Sequence, residues 1–503
     1  MHAAPSGAYA LDVVGSVGPV VPQMMVARIS GTLTACWLLF SACAPRSPPA
    51  PALEPASSTR SVHRATPLGL CEDYPPESTT LERLDSDFAL LTSIGNRVLR
   101  VSFGWDDLEP SPGNYDFDDT DRFVELAVGK HGLTLIPYVT YTPAWAASIP
   151  GQDGWKSPPR DAETFGALMA ELARRYSGKI GTWELWNEPD NSDFFTGDVA
   201  DFAELLEAGA RGVRRGDPHA KVVLGGIADD LGFLKSLLSE HDSASHIDIV
   251  NLHRYPETWS GDSLESITAF IAEAHEIVET FGEGEPLWLA EVGYSSFRRG
   301  ARVSKWFDAK YDYEHTPEFQ AVALGRIVTL ALSTEQLGLI AWYELRDLPP
   351  HDEVIGDVNN RHLGILAADG APKPALGAFR TVKRLYDQPL RALRVALDTQ
   401  GVEATAVSVH AFERADRSVI VAAWLKTMTP ERAGAAPAED PRRGVVSVTL
   451  PVPLPELAQF KLFDARGEAL FRELRISSNR GSTKFEGLEL AGGEVVFVEL
   501  ASP

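Results

Sequence analysis

Two short apolar runs in this 503-residue chain each end in a glutamate, and their separation constrains the fold. Residues 182–186 lead to Glu188, where Pro189 cannot continue a central strand, and residues 287–290 lead to Glu291. Short apolar runs of this kind are typical of buried strands. The glutamates are 103 positions apart, and one β-α-β unit takes more than about 30 residues, so three units fit between them. This spacing predicts that the glutamates end strands four and seven of an eight-stranded barrel.

Strand and helix signals alternate over residues 67–386, which predicts an α/β fold, a (β/α)8 TIM barrel. The predicted strands cover residues 67–72, 98–105, 133–138, 182–186, 221–226, 247–256, 286–291 and 339–344. Helical periodicity is expected over residues 80–94, 199–215, 262–281 and 317–335, with a last helix to about residue 386. The loop 294–315 is long for a compact domain, and such loops are usually functional or mobile.

Over residues 387–503 the hydrophobic pattern changes to a period of two, which predicts a small antiparallel β-sandwich domain. The strands expected there cover residues 418–424, 445–450, 460–463 and 495–500, and the Pro/Ala-rich segment 429–443 is expected to be an exposed loop. No row of aromatic residues marks a glycan-binding face. The domain is therefore expected to brace the barrel.

The first 66 residues have the composition of a leader and a tether. Residues 1–43 contain an apolar segment too short to span a membrane, as secretory signals do, and Met24 or Met25 is a more natural start than the first methionine. The sequence before Cys43 resembles a bacterial lipoprotein cleavage box, so we expect lipidation of that cysteine, with a plain cleaved signal as the alternative. Residues 44–66, rich in Pro, Ala and Ser, are expected to be a linker. The leader predicts export to the bacterial cell envelope, with the membrane reached only through the lipid anchor.

Charge and cysteine content exclude several other classes of protein. The formal net charge of −24 argues against nucleic acid as a partner, because phosphates need a basic surface. If Cys36 leaves with the signal and Cys43 carries lipid, Cys71 is left alone, so neither an internal disulfide nor a zinc cluster is expected. No His-Glu-x-x-His motif occurs. We expect neither a metal nor a cofactor.

The residues at the end of the predicted fourth strand suggest a reaction. In Asn187-Glu188, a carboxylic acid lies beside an amide. Cleavage of a glycosidic bond needs an acid that protonates the leaving oxygen and a polar group that holds the sugar 2-hydroxyl. A polar cap on a strand exit is the alternative interpretation of the motif alone. The aromatic strand before it and Glu291 downstream favour the catalytic interpretation.

With both glutamates placed, the chain resembles the retaining glycoside hydrolases of clan A, and within them family 39 and its exopolysaccharide-cleaving relatives. The resemblance covers residues 67–385 and implies that Glu188 is the acid/base, Glu291 the nucleophile and Asn187 a ligand of the sugar 2-hydroxyl. The β-xylosidase branch usually has Thr before its nucleophile, where this chain has Ala290. That difference argues against xylosidase specificity.

The same resemblance implies further substrate-site residues. Arg100 on strand two would keep the nucleophile ionised, with a structural salt bridge elsewhere as the alternative. His253 and Tyr255 at the tip of strand six would contact the nucleophile and the sugar. Trp342 on strand eight would stack under the sugar ring, and Trp145 is a further aromatic candidate. Core packing is the alternative for each aromatic residue.

These features together predict a retaining glycosidase of clan A that cleaves β-glycosidic bonds in a polysaccharide or oligosaccharide through a glycosyl-enzyme intermediate. Two alternatives remain open at this point. A transglycosylase would share every one of these residues, because it differs only in what intercepts the intermediate. A non-catalytic envelope lipoprotein that binds polysaccharide would not require both glutamates.

Overall fold

The computed structural model describes residues 63–76, 78–151, 153–350, 354–428, 437–454 and 459–501. The predicted signal, the predicted lipidation at Cys43 and most of the predicted linker lie outside these residues. Among the residues described, no helix combines the length and the apolar character that crossing a bilayer requires.

Eight parallel strands form the central sheet of the first domain. They are β1 (Leu68–Cys71), β2 (Val98–Gly104), β3 (Thr134–Thr140), β4 (Thr182–Leu185), β5 (Lys221–Leu224), β6 (Val250–Arg254), β7 (Leu287–Val292) and β8 (Leu337–Tyr343). Their order, β5-β4-β3-β2-β1-β8-β7-β6, leaves β5 and β6 to meet. Parallel bridges from Val223 to Ile249 and from Ile227 to Leu252 join these two strands. The sheet is thus a closed barrel, which confirms the predicted fold.

Helices surround this sheet, and most of them bury one apolar face, whereas α8 is buried on nearly all sides. They are α1 (Leu81–Ser93), α2 (Trp105–Leu108), α3 (Asp118–Val124), α4 (Ala162–Arg175), α5 (Val199–Gly216), α6 (Leu231–Glu240), α7 (Ile267–Phe281), α8 (Pro317–Ser333) and α9 (Pro374–Tyr386). Helices α4 and α5 can pack closely because Gly212 has no side chain. A Cβ at this position would lie only 2.1 Å from the Gly166 carbonyl oxygen. Asp198 accepts from the backbone of α5 in a capping box with Asp201.

Two antiparallel sheets follow the barrel. Their strands are β9 (Leu390–Leu393), β10 (Ala396–Gln400), β11 (Val407–Arg414), β12 (Val419–Leu425), β13 (Arg443–Leu450), β14 (Gln459–Phe463), β15 (Arg475–Ser478), β16 (Thr483–Ala491) and β17 (Val496–Ala501). One sheet has the order β14-β17-β12-β11-β9 and the other β10-β13-β16-β15. Alternate apolar residues of both sheets form their common core. The predicted β-sandwich is confirmed.

A single hydrophobic core connects the barrel helices to the outer face of the five-stranded sheet. Trp424 and Phe497 of that sheet belong to the same buried cluster as the residues of α8 and α9. The indole nitrogen of Trp424 donates to Glu265 Oε1 at 3.0 Å, just before α7. Arg326 of α8 donates through Nη2 to the Glu494 carbonyl at 2.7 Å. These contacts hold the sandwich against the barrel.

Candidate active site

The ends of β4 and β7 bring the two predicted glutamates together. One carboxylate oxygen of Glu188, one of Glu291 and one ring nitrogen of His253 all lie within 4.8 Å of one another. The chain turns sharply after β4, with Trp186 at φ 76° and Glu188 at φ 44°. Non-glycine residues rarely occupy this left-handed region, and those that do cluster at functional sites.

Arg100 on β2 connects the groups of this site. Its Nη1 donates to Glu291 Oε2 at 2.7 Å, and its Nη2 donates to Asn187 Oδ1 at 2.8 Å. Its Nε and Nη2 also form a two-pronged pair with Glu184, both at 2.8 Å. Arg100 and Glu184 are both completely buried. Removal of one partner from a buried ion pair costs about 3–5 kcal/mol of stability. The guanidinium therefore has a fixed position beside the predicted nucleophile.

Glu291 has two strong hydrogen-bond donors. Tyr255 donates its hydroxyl to Oε1 at 2.7 Å, and Arg100 donates to Oε2. Burial raises the pKa of Glu291 above its ordinary value, while the positive charge of Arg100 and the Tyr255 hydroxyl act in the opposite direction. These donors favour the ionised form of Glu291, which a nucleophile must have.

Glu188 has a different environment. Its Oε2 accepts from Asn191 Nδ2 at 2.8 Å, and its Oε1 lies 2.9 Å from His253 Nδ1. Burial, together with the negative charge of Asp190, raises the pKa of Glu188 to about 8. At pH 7 this carboxyl is mostly protonated and can act as a general acid.

His253 is oriented by a neighbour on its own strand. Asn251 accepts from the Ala290 N–H through Oδ1 at 2.9 Å, so its Nδ2 points to Glu184 Oε1 at 3.0 Å and to His253 Nε2 at 3.4 Å. The Nε2 therefore accepts, and the ring proton is on Nδ1, facing Glu188. Burial lowers the pKa of His253 to about 4, which leaves the ring neutral at pH 7.

The site opens into a cavity of about 820 Å³. Asn187, Glu188, Tyr255 and Glu291 line it, as do residues that the sequence analysis did not select. The latter include Asp73, Tyr138, Tyr141, Asp190, Asn191, Asp229, Asp230, Trp259, Lys305, Trp306, Tyr343 and Asp357. The long loop after β7 thus contributes to the cavity through Lys305 and Trp306.

Two predicted aromatic ligands lie elsewhere. Trp342 is 1% exposed and belongs to the core, and the neighbouring Tyr343 lines the cavity instead. Side chains alternate along a strand, so a choice shifted by one residue selects the opposite face of the sheet. Trp145 donates its indole N–H to the Glu109 carbonyl at 2.7 Å and packs edge-on against Trp105. Neither predicted tryptophan lines the cavity, so the structure gives no support to their predicted role in sugar binding.

Glu184 and Asn251 are the two interior residues that the sequence analysis missed. Glu184 lies three residues before Asn187 and holds Arg100, and Asn251 lies two residues before His253 and orients its ring. A strand places residues i and i+2 on the same face. This spacing was the signal that could have revealed Asn251, whereas the signal for Glu184 was a charged residue within a buried strand.

Glu188, His253 and Glu291 are also the described residues whose geometry could suit a metal ion. Their oxygen and nitrogen atoms already have hydrogen-bond partners. A cation there would also lie close to the guanidinium of Arg100, 2.7 Å from Glu291. The donor set therefore fits a pair of catalytic carboxyl groups better than a metal centre.

Comparison with known proteins agrees with this geometry. The sequence profile of the glycosyl hydrolases family 39 matches residues 113–287. A β-xylosidase of Caldicellulosiruptor saccharolyticus is 23% identical over 242 residues, which cover 46% of this chain and 48% of that protein. The chain therefore spans about half the length of this curated relative.

Solved structures share the fold. A family 39 glycoside hydrolase from Bacteroides cellulosilyticus WH2 has 17% identity and a TM-score of 0.60, over 87% of this chain and 81% of that one. A monomeric β-xylosidase from Caulobacter crescentus CB15 has 17% identity and a TM-score of 0.60, over 88% and 97%. The barrel and the paired glutamates are the features of the class of clan A glycoside hydrolases. Within that class, residues 113–287 match the family 39 profile, which supports the predicted resemblance.

Proposed function

We propose that the protein is a retaining glycosidase that cleaves β-glycosidic bonds by double displacement. The observation that carries this proposal is that oxygens of Glu188 and Glu291 lie within 4.8 Å of each other. The carboxyl groups of a retaining pair are roughly 5–5.5 Å apart, whereas an inverting pair is separated by about 6.5–9.5 Å to admit a water molecule. A separation this short favours the retaining arrangement.

The two glutamates have separate tasks in this mechanism. Glu291 attacks the anomeric carbon as the bond to the leaving oxygen breaks, and Glu188 transfers its proton to that oxygen. In the second step Glu188, now ionised, takes a proton from water, and this water displaces Glu291 from the sugar. The neutral His253 donates to Glu188 and maintains its position throughout.

Asn187 is suited to hold the sugar 2-hydroxyl. Its Oδ1 already accepts from Arg100, which directs its Nδ2 away from the guanidinium. Asn187 lines the cavity beside both glutamates. Its Nδ2 would donate to the 2-hydroxyl oxygen, an interaction that strengthens in the transition state of glycoside cleavage.

We propose a polysaccharide or oligosaccharide as the substrate. Trp306 on the cavity wall is 51% exposed, and an exposed indole can stack on a sugar ring. Two of the three named relatives are β-xylosidases, which supports a β-linkage. Transfer to a second sugar instead of water would use the same residues, and product analysis with added acceptor sugars distinguishes the two.

Two variants test the mechanism. Glu291→Ala should abolish turnover of an activated aryl β-glycoside, because no intermediate can form. Glu188→Ala should still form the intermediate, since a good leaving group needs little protonation, and azide should restore turnover with a β-glycosyl azide as product. If azide instead restored turnover of Glu291→Ala with an α-glycosyl azide as product, and not that of Glu188→Ala, the roles assigned to the two glutamates would have to be exchanged. Wild-type activity in both variants would disprove the site.

We also propose that the enzyme is exported to the bacterial cell envelope and anchored through Cys43. The support is the cleavage-box sequence before that cysteine. Cys43→Ser should move the protein from the membrane fraction to the soluble fraction, or block its maturation. Unchanged fractionation of this variant would disprove the anchor.

A further inference from the structure

A third carboxylate is held at the cavity wall on the side of β1. Asp73 follows β1 by two residues and is half-buried. Its Oδ1 accepts from the Ser102 N–H at 3.2 Å and from the Tyr138 hydroxyl at 2.7 Å. Two donors from neighbouring strands therefore fix the orientation of this carboxylate.

Both contacts use the same oxygen of Asp73. Within the described part of the chain, no hydrogen bond reaches Oδ2 and no Lys, Arg or His forms an ion pair with Asp73. A carboxylate that lines a cavity with one unpaired oxygen and no neutralising cation can accept further hydrogen bonds. The ligand chemistry that fits it is a sugar hydroxyl, because a charged acceptor makes a strong bond with O–H.

The position of Asp73 relative to the two glutamates indicates which sugar it meets. In the barrel order β4-β3-β2-β1-β8-β7, Asp73 lies three strands from Glu188 and two strands from Glu291. The leaving group departs toward Glu188, which protonates it. The sugar that becomes attached to Glu291 therefore extends toward β1, where Asp73 lies between Tyr138 and Tyr343.

The remaining lining residues reinforce the negative charge. Among the described residues that line the cavity, Lys305 is the one Lys or Arg side chain, against eight Asp and Glu side chains. Asp190 and Asp357 also serve structure, since Asp190 accepts from the backbone of Ala228 and Asp357 from the indole of Trp259. A negatively charged sugar would meet repulsion here, whereas a neutral sugar would meet none.

We propose that Asp73 is a specificity-determining residue, which binds hydroxyls of the sugar attached to Glu291 and selects an uncharged sugar against a uronic acid. This inference rests on the proposed function and names the substrate class of the same site. The substrate of the enzyme then has a neutral sugar on the non-reducing side of the bond that is cleaved.

Matched substrates test the inference. The 4-nitrophenyl β-glucoside and β-glucuronide differ only at carbon 6, as do the galactoside and the galacturonide. The wild type should prefer the neutral member of a pair by at least about tenfold in kcat/KM, since like-charge contacts are strongly unfavourable. Asp73→Asn keeps an oxygen for Ser102 and Tyr138, and it should reduce this preference about tenfold or more. Glu240→Gln, an exposed change at the end of α6, controls for the loss of one charge.

The outcomes separate this inference from the proposed function. A wild type that cleaves the uronides as well as the neutral glycosides overturns the role of Asp73. So does an Asp73→Asn variant that loses activity equally on both members of a pair, because that is the result of a merely structural role. If no aryl glycoside is cleaved, saturation-transfer NMR with glucose, galactose and their uronic acids tests whether Asp73 selects neutral sugars. Binding of the neutral sugars that Asp73→Asn weakens supports the inference, and equal binding of the acids, or no binding, overturns it.

Discussion

Glu188 and Glu291 are the same kind of side chain in one cavity, but their neighbours favour different protonation states. Glu291 accepts from a cation and a hydroxyl, and both favour its carboxylate. Glu188 is surrounded by a neutral histidine, the Asn191 amide and the negative charge of Asp190. Burial raises the pKa of Glu188 by more than the hydrogen bond from the amide lowers it. An acid and a nucleophile require two carboxyl groups whose environments differ in this way.

The pH dependence of activity should follow these groups. The acid must be protonated, so kcat/KM should fall as pH rises through about 8, the pKa of Glu188. Asn191 donates to Glu188 and favours its charged form, so Asn191→Ala should move this basic limb to higher pH. The measurement is a pH profile of kcat/KM on a neutral aryl glycoside. A basic limb that stays in place in Asn191→Ala would contradict the assignment.

His253 depends on an adjacent glycine for its position. A Cβ at Gly226 would lie 2.0 Å from His253 Nε2, so Gly226→Ala must displace the ring from Glu188. Misplacement by about 1 Å can cost 100-fold in rate, and we expect a loss of kcat on that order with the fold retained, as circular dichroism would verify. Gly181→Ala is the matched control, because its Cβ would meet nothing within 4 Å. Equal activity in the two variants would remove His253 from the mechanism.

Single residues show what the sequence could and could not predict. The ends of β4, β6 and β7 predicted Asn187, Glu291, His253 and Tyr255, because each lies at or just after the end of an apolar run. Trp342 was predicted to line the cavity but lies in the core, because residue type does not determine which face of β8 a side chain occupies. Tyr343 lines the cavity instead. Asp73 gave no signal, since its role arises from contacts with two other strands.

At the scale of elements, the loop between β7 and α8 encloses two buried carboxyl groups. Glu257 accepts from the Tyr294 hydroxyl at 3.3 Å, and Glu314 accepts from the Tyr311 N–H at 3.1 Å. Burial, with the nearby charge of Glu314, raises the pKa of Glu257 to about 8. His315 lies beside them, stacked on Tyr294 at 4.4 Å, and burial lowers its pKa to about 3. The loop that carries Trp306 thus packs against Glu257, a buried carboxyl group that is mostly protonated at pH 7.

Glu257→Gln should change the dependence of stability on pH. The folded state binds the Glu257 proton more tightly than the unfolded state does, so its stabilising effect is complete below about pH 4.5 and is lost as pH rises through 8. One such group contributes a decline of roughly 1.4 kcal/mol per pH unit within this window. Glutamine does not ionise, so the variant should lose less stability between pH 6 and pH 9, measured by urea unfolding. An equal decline of the free energy of unfolding in Glu257→Gln, the wild type and Glu240→Gln would refute this role of Glu257.

The element pattern was predictable where periodicity was strong. All eight barrel strands lie within or beside their predicted ranges, since apolar runs of four to eight residues mark buried strands. In the second domain, the sequence indicated β12, β13, β14 and β17 but not β9, β10, β11, β15 and β16. Strand β10 alternates between exposed and half-buried residues, and β15 does the same over four residues. Such strands depend on pairing with neighbours, which local sequence does not reveal.

For the whole molecule, the shared core implies that barrel and sandwich unfold together. Trp424 of β12 is fully buried against the barrel and donates to Glu265, and it stacks on His410 at 5.3 Å. Arg326 of α8 lies on the other side, 5.7 Å from the indole centroid. Because these groups belong to both domains, neither domain can lose its structure without exposing apolar surface of the other.

Trp424→Ala should therefore destabilise the barrel as well as the sandwich. Truncation of a buried tryptophan costs about 3–5 kcal/mol, and calorimetry should show one transition at a Tm lowered by a few degrees. Thermal loss of glycosidase activity, which reports the barrel, should shift by the same amount. Phe471→Ala is the control, because this side chain is 98% exposed on the β-domain and its removal leaves the core intact. Two separate transitions, with only one lowered in Trp424→Ala and activity lost at the unchanged temperature, would mean that the domains are stable independently and that the sandwich does not brace the barrel.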